Sequence, residues 1–359
     1  MALEHAAVLD ALKVVQDPDL HRDIVSLGFI KDLKVDGGHV AFTIELTTPA
    51  CPVKDQMRDQ ARAAVLRLPG VLSVDVQLSA QVREAVNGDA QRQPVPGVKN
   101  VIAVGAGKGG VGKTTVAVNL AVALARAGST VGLIDADIYG PNVPNMLGLR
   151  TELTTDGEKI LPAEKYGLQI ISMGFLTKDD APIIWRGPML HGALQQFFRE
   201  VRWGRLDYLV VDLPPGTGDV ALSLSQTVPV AGAIVVTTPQ QVSLADSRRA
   251  VAMYRKLNIP SLGIIENMSY FPCPECGHEA DIFGHGGGEQ MATELGVPFL
   301  GRLPIAQQIR EGSDAGVPIV IGAPGSVAAR AFMSVAEQTA AQVSIASYGR
   351  ATIPLTVVT

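Results

Sequence analysis

The chain has 359 residues, 47% of them hydrophobic and 18% charged, so it can bury more than one core and is too apolar for a disordered polymer. A formal net charge of −5 and an aromatic content of 5% offer neither a broad cationic surface nor base-stacking platforms, which argues against nucleic acid as a partner. Three cysteines are too few for a disulfide framework. The opening MALEHAAVLDALKVV carries an acid early and has no cationic stretch ahead of an apolar core, so it does not read as a signal peptide. Without a run of about 18 apolar residues, no membrane span is expected. The expected compartment is reducing and cytoplasmic.

Residues 1–87 read as a small α/β domain. Ala6–Val15 and Val53–Leu68 have helical apolar spacing, while Val40–Leu46 and Val71–Leu78 alternate like strands. Residues 88–100, GDAQRQPVPGVKN, are rich in Gly, Pro and Gln and read as a linker. From Val101 short apolar runs alternate with helical stretches: VIAVGA (101–106), TVGLID (130–135), YLVVDL (208–213), AGAIVVTT (231–238), LGIIEN (262–267) and PFLG (298–301). Near-continuous apolar strands between helices indicate a parallel sheet covered on both faces, so the expected class is α/β, with a second, larger domain over 101–345. Val327–Val343 reads as a closing helix, and 346–359 as a tail with no basic amphipathic pattern.

The first strand runs into GAGKGGVGKTT and then a helical stretch. Gly107, Gly112, Lys113 and Thr114 have the spacing of a phosphate loop. Glycines let backbone N–H groups turn inward around phosphates, and the helix N-terminus adds positive charge. Lys113 would reach the β and γ phosphates of ATP, and the Thr114 hydroxyl would coordinate Mg²⁺. Gly105, Gly107 and Gly110 also spell a dinucleotide fingerprint, with Asp135 ending the next strand. The Gly-Lys-Thr triplet decides against it, because a lysine there serves a triphosphate. The segment GKGGVGKTT resembles the deviant phosphate loop of the ParA/MinD/nitrogenase-iron-protein class. That resemblance gives Lys108 a role reaching across a homodimer to the partner's nucleotide, and marks Gly107, Lys108, Gly109, Gly110, Val111, Gly112, Lys113, Thr114 and Thr115 as nucleotide-binding.

LIDADIYGP ends a strand with Asp135 and Asp137, and YLVVDLPPGTGD ends another with Asp212. Carboxylates at strand C-termini beside a phosphate loop sit where Mg²⁺ and attacking water must be held; a simple helix cap is the alternative. The class resemblance implies that Asp137 orients the water, and it places Asp219 in a switch segment. Lys108, Lys113, Asp137 and Asp212 are thus the expected catalytic set. Asn267 ends another strand, where its amide could read an adenine edge or simply serve a turn. The loop around Pro304 could supply backbone contacts to the base.

Cys273-Pro274-Glu275-Cys276 forms a close pair of soft ligands. A zinc site would need His278 and His285 to complete it. A thioredoxin-type pair should open a helix. A [4Fe–4S] cluster needs four thiolates, which a two-fold axis between two chains would supply. Such a cluster, exposed and held by two ligands per chain, would be labile, as suits a carrier. Taken in order, GKGGVGKTT, LIDADIYGP, VVDLPPGTGD and CPEC resemble the Mrp/ApbC family of iron–sulfur cluster carrier ATPases over roughly residues 95–345. LKVVQDPDL, IVSLGFI and TTPACP resemble the small domain that bacterial members carry in front. The resemblance implies a homodimer that binds ATP and Mg²⁺, holds a labile [4Fe–4S] cluster and delivers it to apo-proteins. A partition or positioning ATPase and an ATP-driven electron donor are the rival functions. Cys51, ahead of a helix, reads either as a stabilised thiolate that relays iron–sulfur units or as a small buried apolar residue.

Overall fold

The computed structural model describes residues 4–84, 92–138, 140–176, 187–216 and 218–351. The chain divides into two compact units, Met1–Arg83 and Glu84–Thr359.

In the first unit, helix α1 (His5–Leu12) precedes a three-stranded sheet of β1 (Ile30–Asp36), β2 (His39–Leu46) and β3 (Ser73–Ala80), with α2 (Lys54–Leu66) crossing between β2 and β3. β1 and β2 run antiparallel and β2 and β3 parallel, as a helical crossover requires. The alternation of β2 buries Val40, Phe42, Ile44 and Leu46, and α2 turns Met57, Ala61 and Val65 inward at helical spacing. The apolar pattern does not announce β1. A bulge between Lys31 and Lys34, with Asp32 at φ +51°, interrupts its two-residue period.

The second unit is built on a nine-stranded sheet among the described residues. Its strands are β4 (Val98–Ala106), β5 (Val131–Asp135), β6 (Ala163–Lys165), β7 (Leu168–Ser172), β8 (Leu206–Asp212), β9 (Gly232–Thr237), β10 (Ser261–Pro272), β11 (Glu279–Ala280) and β12 (Phe299–Pro304). They lie in the order β6-β7-β5-β8-β4-β9-β10-β11, with β12 paired to β10. The pairs β7–β5, β5–β8, β8–β4, β4–β9, β9–β10 and β10–β12 are parallel, as the apolar runs require, while β6 and β11 are antiparallel edges. The longer helices of the unit are α3 (Lys113–Arg126), α4 (Gly187–Arg199), α5 (Asp219–Thr227), α6 (Gln241–Lys256), α7 (Gly287–Leu295), α8 (Gln307–Asp314) and α9 (Val327–Ala351).

Two boundaries differ from the sequence reading. Val98, Lys99 and Asn100, expected in the linker, belong to β4, where Val98 pairs with Leu206 and Asn100 with Tyr208. The preceding residues are also fixed: Arg199 donates to the carbonyls of Pro94 at 2.8 Å and Gln93 at 2.9 Å, and Val95 is buried. Residues 85–91, which include the first four of the expected linker, lie outside the described residues. The closing helix runs on to Ala351, through the first six residues of the expected tail. Its hydroxyls make this possible: Thr339, Ser344 and Ser347 donate to the carbonyls of Val335, Ala340 and Val343, so polar residues are buried without losing partners. Residues 352–359 lie outside the described residues.

The central strand β4 delivers the phosphate loop, and α6 packs directly against its C-terminal end. An alanine Cβ at Gly105 would overlap the Tyr254 hydroxyl oxygen of α6, with the ring carbon Cζ at 3.2 Å. Gly105→Ala is therefore expected to cost about 1–3 kcal/mol in urea unfolding. In a Tyr254→Phe background the same substitution should cost less than half as much. Equal costs in both backgrounds would show that the hydroxyl overlap is not the cause.

Candidate functional site

The phosphate loop lies between β4 and α3, at the sheet edge where parallel strands end, a place where α/β sheets open a crevice. Gly110 and Gly112 adopt φ of +82° and +78°, which turns the loop back on itself. Gly107 is required for another reason: a Cβ there would overlap the backbone of Asp246 on α6. Val111 is buried. Lys108, Gly109, Gly110, Gly112, Lys113, Thr114 and Thr115 line a cavity of about 970 Å³ that also includes Asp137. Its far wall is a backbone crossing. A Cβ on Gly316 would overlap the main chain of Gly148, the Tyr166 hydroxyl donates to the Gly316 carbonyl at 2.9 Å, and Lys165 Nζ reaches the Gly148 carbonyl at 3.4 Å.

At the near end, β8 brings Asp212 under the loop. Lys113 Nζ donates to Asp212 Oδ1 at 2.7 Å, and Thr114 Oγ1 donates to Asp212 Oδ2 at 2.7 Å. Asp137 Oδ2 stands 3.6 Å from the same ammonium. Burial pushes the Asp212 carboxyl above its ordinary range, while Lys113 and Thr114 pull the other way. The Asp135 carboxyl is pushed up to about 7 by burial and by the neighbouring charge of Asp212. Its oxygens accept the N–H of Asp137 and of Val143, each at 3.2 Å, and the Ser172 hydroxyl at 2.9 Å. Asp135 thus fixes the turn that presents Asp137, and does not line the cavity itself. Asp219 is exposed at the start of α5. Lys108 is half-buried and makes no ion pair among the described residues. Thr114, Asp137 and Asp212 together form an all-oxygen donor set, which suits Mg²⁺.

A second cavity of about 460 Å³ adjoins the first, lined mainly by apolar side chains such as Met268, Ile282, Phe283, Pro304 and Ile309. Asn267 lines it and is buried. Its Nδ2 donates to the Val111 carbonyl at 2.8 Å, so the amide braces the phosphate loop while its oxygen and its second N–H are left for a ligand.

Strand β10 carries Asn267 and ends at the cysteines. Phe271 and Pro272 pair with Ala280 and Glu279 of β11, and the loop between them holds Cys273 and Cys276. The Cys273 N–H donates to the His278 carbonyl and the Gly277 N–H to the Cys273 carbonyl, both at 2.9 Å, closing a tight turn. The amide N–H groups of Cys276 and Glu275, with the Cys276 thiol, aim at the Cys273 sulfur and hold its thiol below the ordinary range. The pair sits on a hairpin and not at a helix start, unlike a thioredoxin-type site. His278 and His285 do not join it: His285 Nδ1 lies 2.6 Å from Asp281 Oδ2, and among the described residues no group of three or more His, Cys, Asp or Glu is placed to hold a metal ion. The zinc reading within one chain therefore lacks ligands.

Glu266, one residue before Asn267, was not singled out from the sequence. It is fully buried and accepts the Ser269 hydroxyl and the N–H groups of Gly286 and Gly288. It ties the return of the cysteine loop to β10. A lone acid inside an apolar run is the signal that could have found it. In the first unit, Cys51 is buried and its thiol is pushed up to about 11 by that burial. The structure thus favours the apolar reading of Cys51 over the stabilised thiolate.

The comparisons with known proteins bear on both units. Residues 97–340 match the family model described as NUBPL iron-transfer P-loop NTPase, and residues 5–77 match that of an iron-sulfur cluster assembly protein. The iron-sulfur cluster carrier protein of Synechocystis sp. is 50% identical over 347 residues, covering 95% of this chain and 98% of its own. That of Escherichia coli K12 is 42% identical over 347 residues, covering 94% and 92%. Among solved structures, a nucleotide-binding protein from Archaeoglobus fulgidus in complex with ADP is 37% identical with a TM-score of 0.56, covering 62% of this chain and 88% of that one. The cell division ATPase MinD of Pyrococcus furiosus, 24% identical with a TM-score of 0.51 over 67% of this chain and 97% of that one, shares the fold. The chain belongs to the family of NUBPL-type iron-transfer P-loop NTPases, with an iron–sulfur cluster assembly domain ahead of the nucleotide-binding one.

Proposed function

We propose that this protein is an ATP-hydrolysing iron–sulfur cluster carrier. Two copies would hold a labile [4Fe–4S] cluster between them on Cys273 and Cys276 of each chain, and deliver it to apo-proteins. One observation carries the reading: two thiols share an exposed turn on one hairpin, and among the described residues no third ligand of the same chain stands beside them. A cubane needs four thiolates, and a second copy supplies the missing two. The names of the relatives, all iron-sulfur cluster carrier proteins, support the same reading.

The nucleotide half follows from the Lys113–Asp212 pair. A triphosphate in the cavity gives Lys113 a better partner, and its ammonium moves from Asp212 to the phosphate oxygens. That frees Asp212 and Thr114 to hold Mg²⁺, which would neutralise charge on the phosphates. Asp137 is then placed to orient the attacking water, and Lys108 to reach phosphate across the dimer. Contacts to the γ-phosphate would order the loops at Asp137 and Asp219, and hydrolysis would release them. Ligand exchange moves the cluster: each thiolate of the carrier is replaced by one of the client, with no change of oxidation state.

A net charge of −5 offers no broad footing for the DNA that a partition ATPase needs. No helix among the described residues is long and apolar enough to cross a membrane. Three cysteines with no disulfide between them, two of them accessible, suit the reducing cytoplasm.

After anaerobic reconstitution the protein should carry about four irons per dimer. Cys273→Ala/Cys276→Ala should carry none and transfer none to an apo iron–sulfur enzyme. Equal transfer by that variant would sink the proposal. Asp212→Asn should lower ATP hydrolysis at least about 100-fold while the fold, judged by circular dichroism, is kept. In the cluster-free protein at pH 7, iodoacetamide should modify Cys273 well ahead of Cys51, and Cys51→Ser should load iron normally; faster labelling of Cys51 would restore it as a relay.

A further inference from the structure

The phosphate cavity and the apolar cavity meet at four residues: Gly112, Thr115, Ser313 and Asp314 line both. A nucleoside triphosphate has its phosphates at one end, its base at the other and its sugar between. With the phosphates on Lys113 and Thr114 and the base among Met268, Phe283 and Pro304, the sugar must lie at the shared residues. Thr115 belongs to the phosphate loop and Gly112 has no side chain. On the sugar's other side stand Ser313 and Asp314, at the end of α8.

Sugar hydroxyls are donors and need acceptors. The Ser313 hydroxyl already donates to the Ile309 carbonyl at 2.8 Å. Asp314 is different. One carboxylate oxygen, Oδ2, accepts from Arg310 at 2.8 Å, and the other has no partner among the described residues. An acid as the last residue of a helix also opposes the helix dipole, and the helix gains nothing from it beyond the exposed Arg310 pair. A carboxylate is the acceptor that nucleotide sites commonly set against ribose hydroxyls, because charge-assisted hydrogen bonds are the stronger ones.

We infer that Asp314 accepts hydrogen bonds from the ribose hydroxyls of the bound nucleotide and makes the site selective for ribonucleotides. The inference rests on the nucleotide-binding reading and adds a residue that selects the sugar.

Equilibrium binding of ATP, 2′-deoxy-ATP and 3′-deoxy-ATP to the full chain, each with Mg²⁺, tests it. The unaltered protein should bind at least one deoxynucleotide about 5–10-fold more weakly than ATP. Asp314→Ala should bind ATP about as weakly as that deoxynucleotide and no longer tell them apart. Asp314→Asn, which keeps the shape, should fall between. Equal binding of all three nucleotides by the unaltered protein overturns the inference and leaves nucleotide binding standing. So does unchanged discrimination in Asp314→Ala. Binding of no nucleotide at all overturns both.

Discussion

A lysine and an aspartate far apart in the sequence meet beneath the phosphate loop, and the site is organised around them. Lys113 and Asp212 are separated by 98 residues, yet the parallel sheet sets β4 and β8 side by side and puts their ends at one level. Both groups are buried, so each holds the other in place until a stronger partner arrives. Thr114 shares the same carboxylate, so the three side chains form a self-satisfied network and not a set of unpaired charges. Asp135, one strand over, works at the next remove: its acceptors are spent on the turn that carries Asp137.

Strand β10 does a comparable job on the other side of the loop. It carries Glu266 and Asn267, and Cys273 follows directly on its last residue. Asn267 braces the phosphate loop, Glu266 holds the return of the cysteine loop, and Cys273 begins the thiol turn. Ile282 and Phe283, on the far leg of the same loop, are partly exposed and line the apolar cavity. The residues proposed for the nucleotide and those proposed for the cluster are therefore carried by one piece of backbone.

Much of this was legible in the letters. The parallel sheet showed in the apolar runs, because strands buried on both faces have no polar alternation. The phosphate loop showed in its glycine and lysine spacing. What was hidden depended on partners distant in sequence. β1 was masked by its bulge at Asp32, and β7 by its brevity, since Leu168–Ser172 becomes a strand through its pairing with β5. The end of α9 was hidden because serine and threonine can be buried when their hydroxyls turn back to the helix. Asn267 read either as a base reader or as a turn residue from its position, and only the packing reveals that one of its N–H groups braces the phosphate loop. That His285 pairs with Asp281, and that no third ligand stands with the thiol pair among the described residues, is set by the folded loop, which spacing does not encode.

The crossing of Gly148 and Gly316 sets the dimension of the nucleotide cleft. Two main-chain segments touch there with no side chain between them, so the position of that wall is gauged by backbone. Side-chain drift elsewhere along the walls can alter texture and polarity, but lengthening the cleft would require inserting residues into one of the two crossing segments. Divergence within this architecture is thereby steered toward changing what the cleft prefers and away from changing how large a molecule it admits.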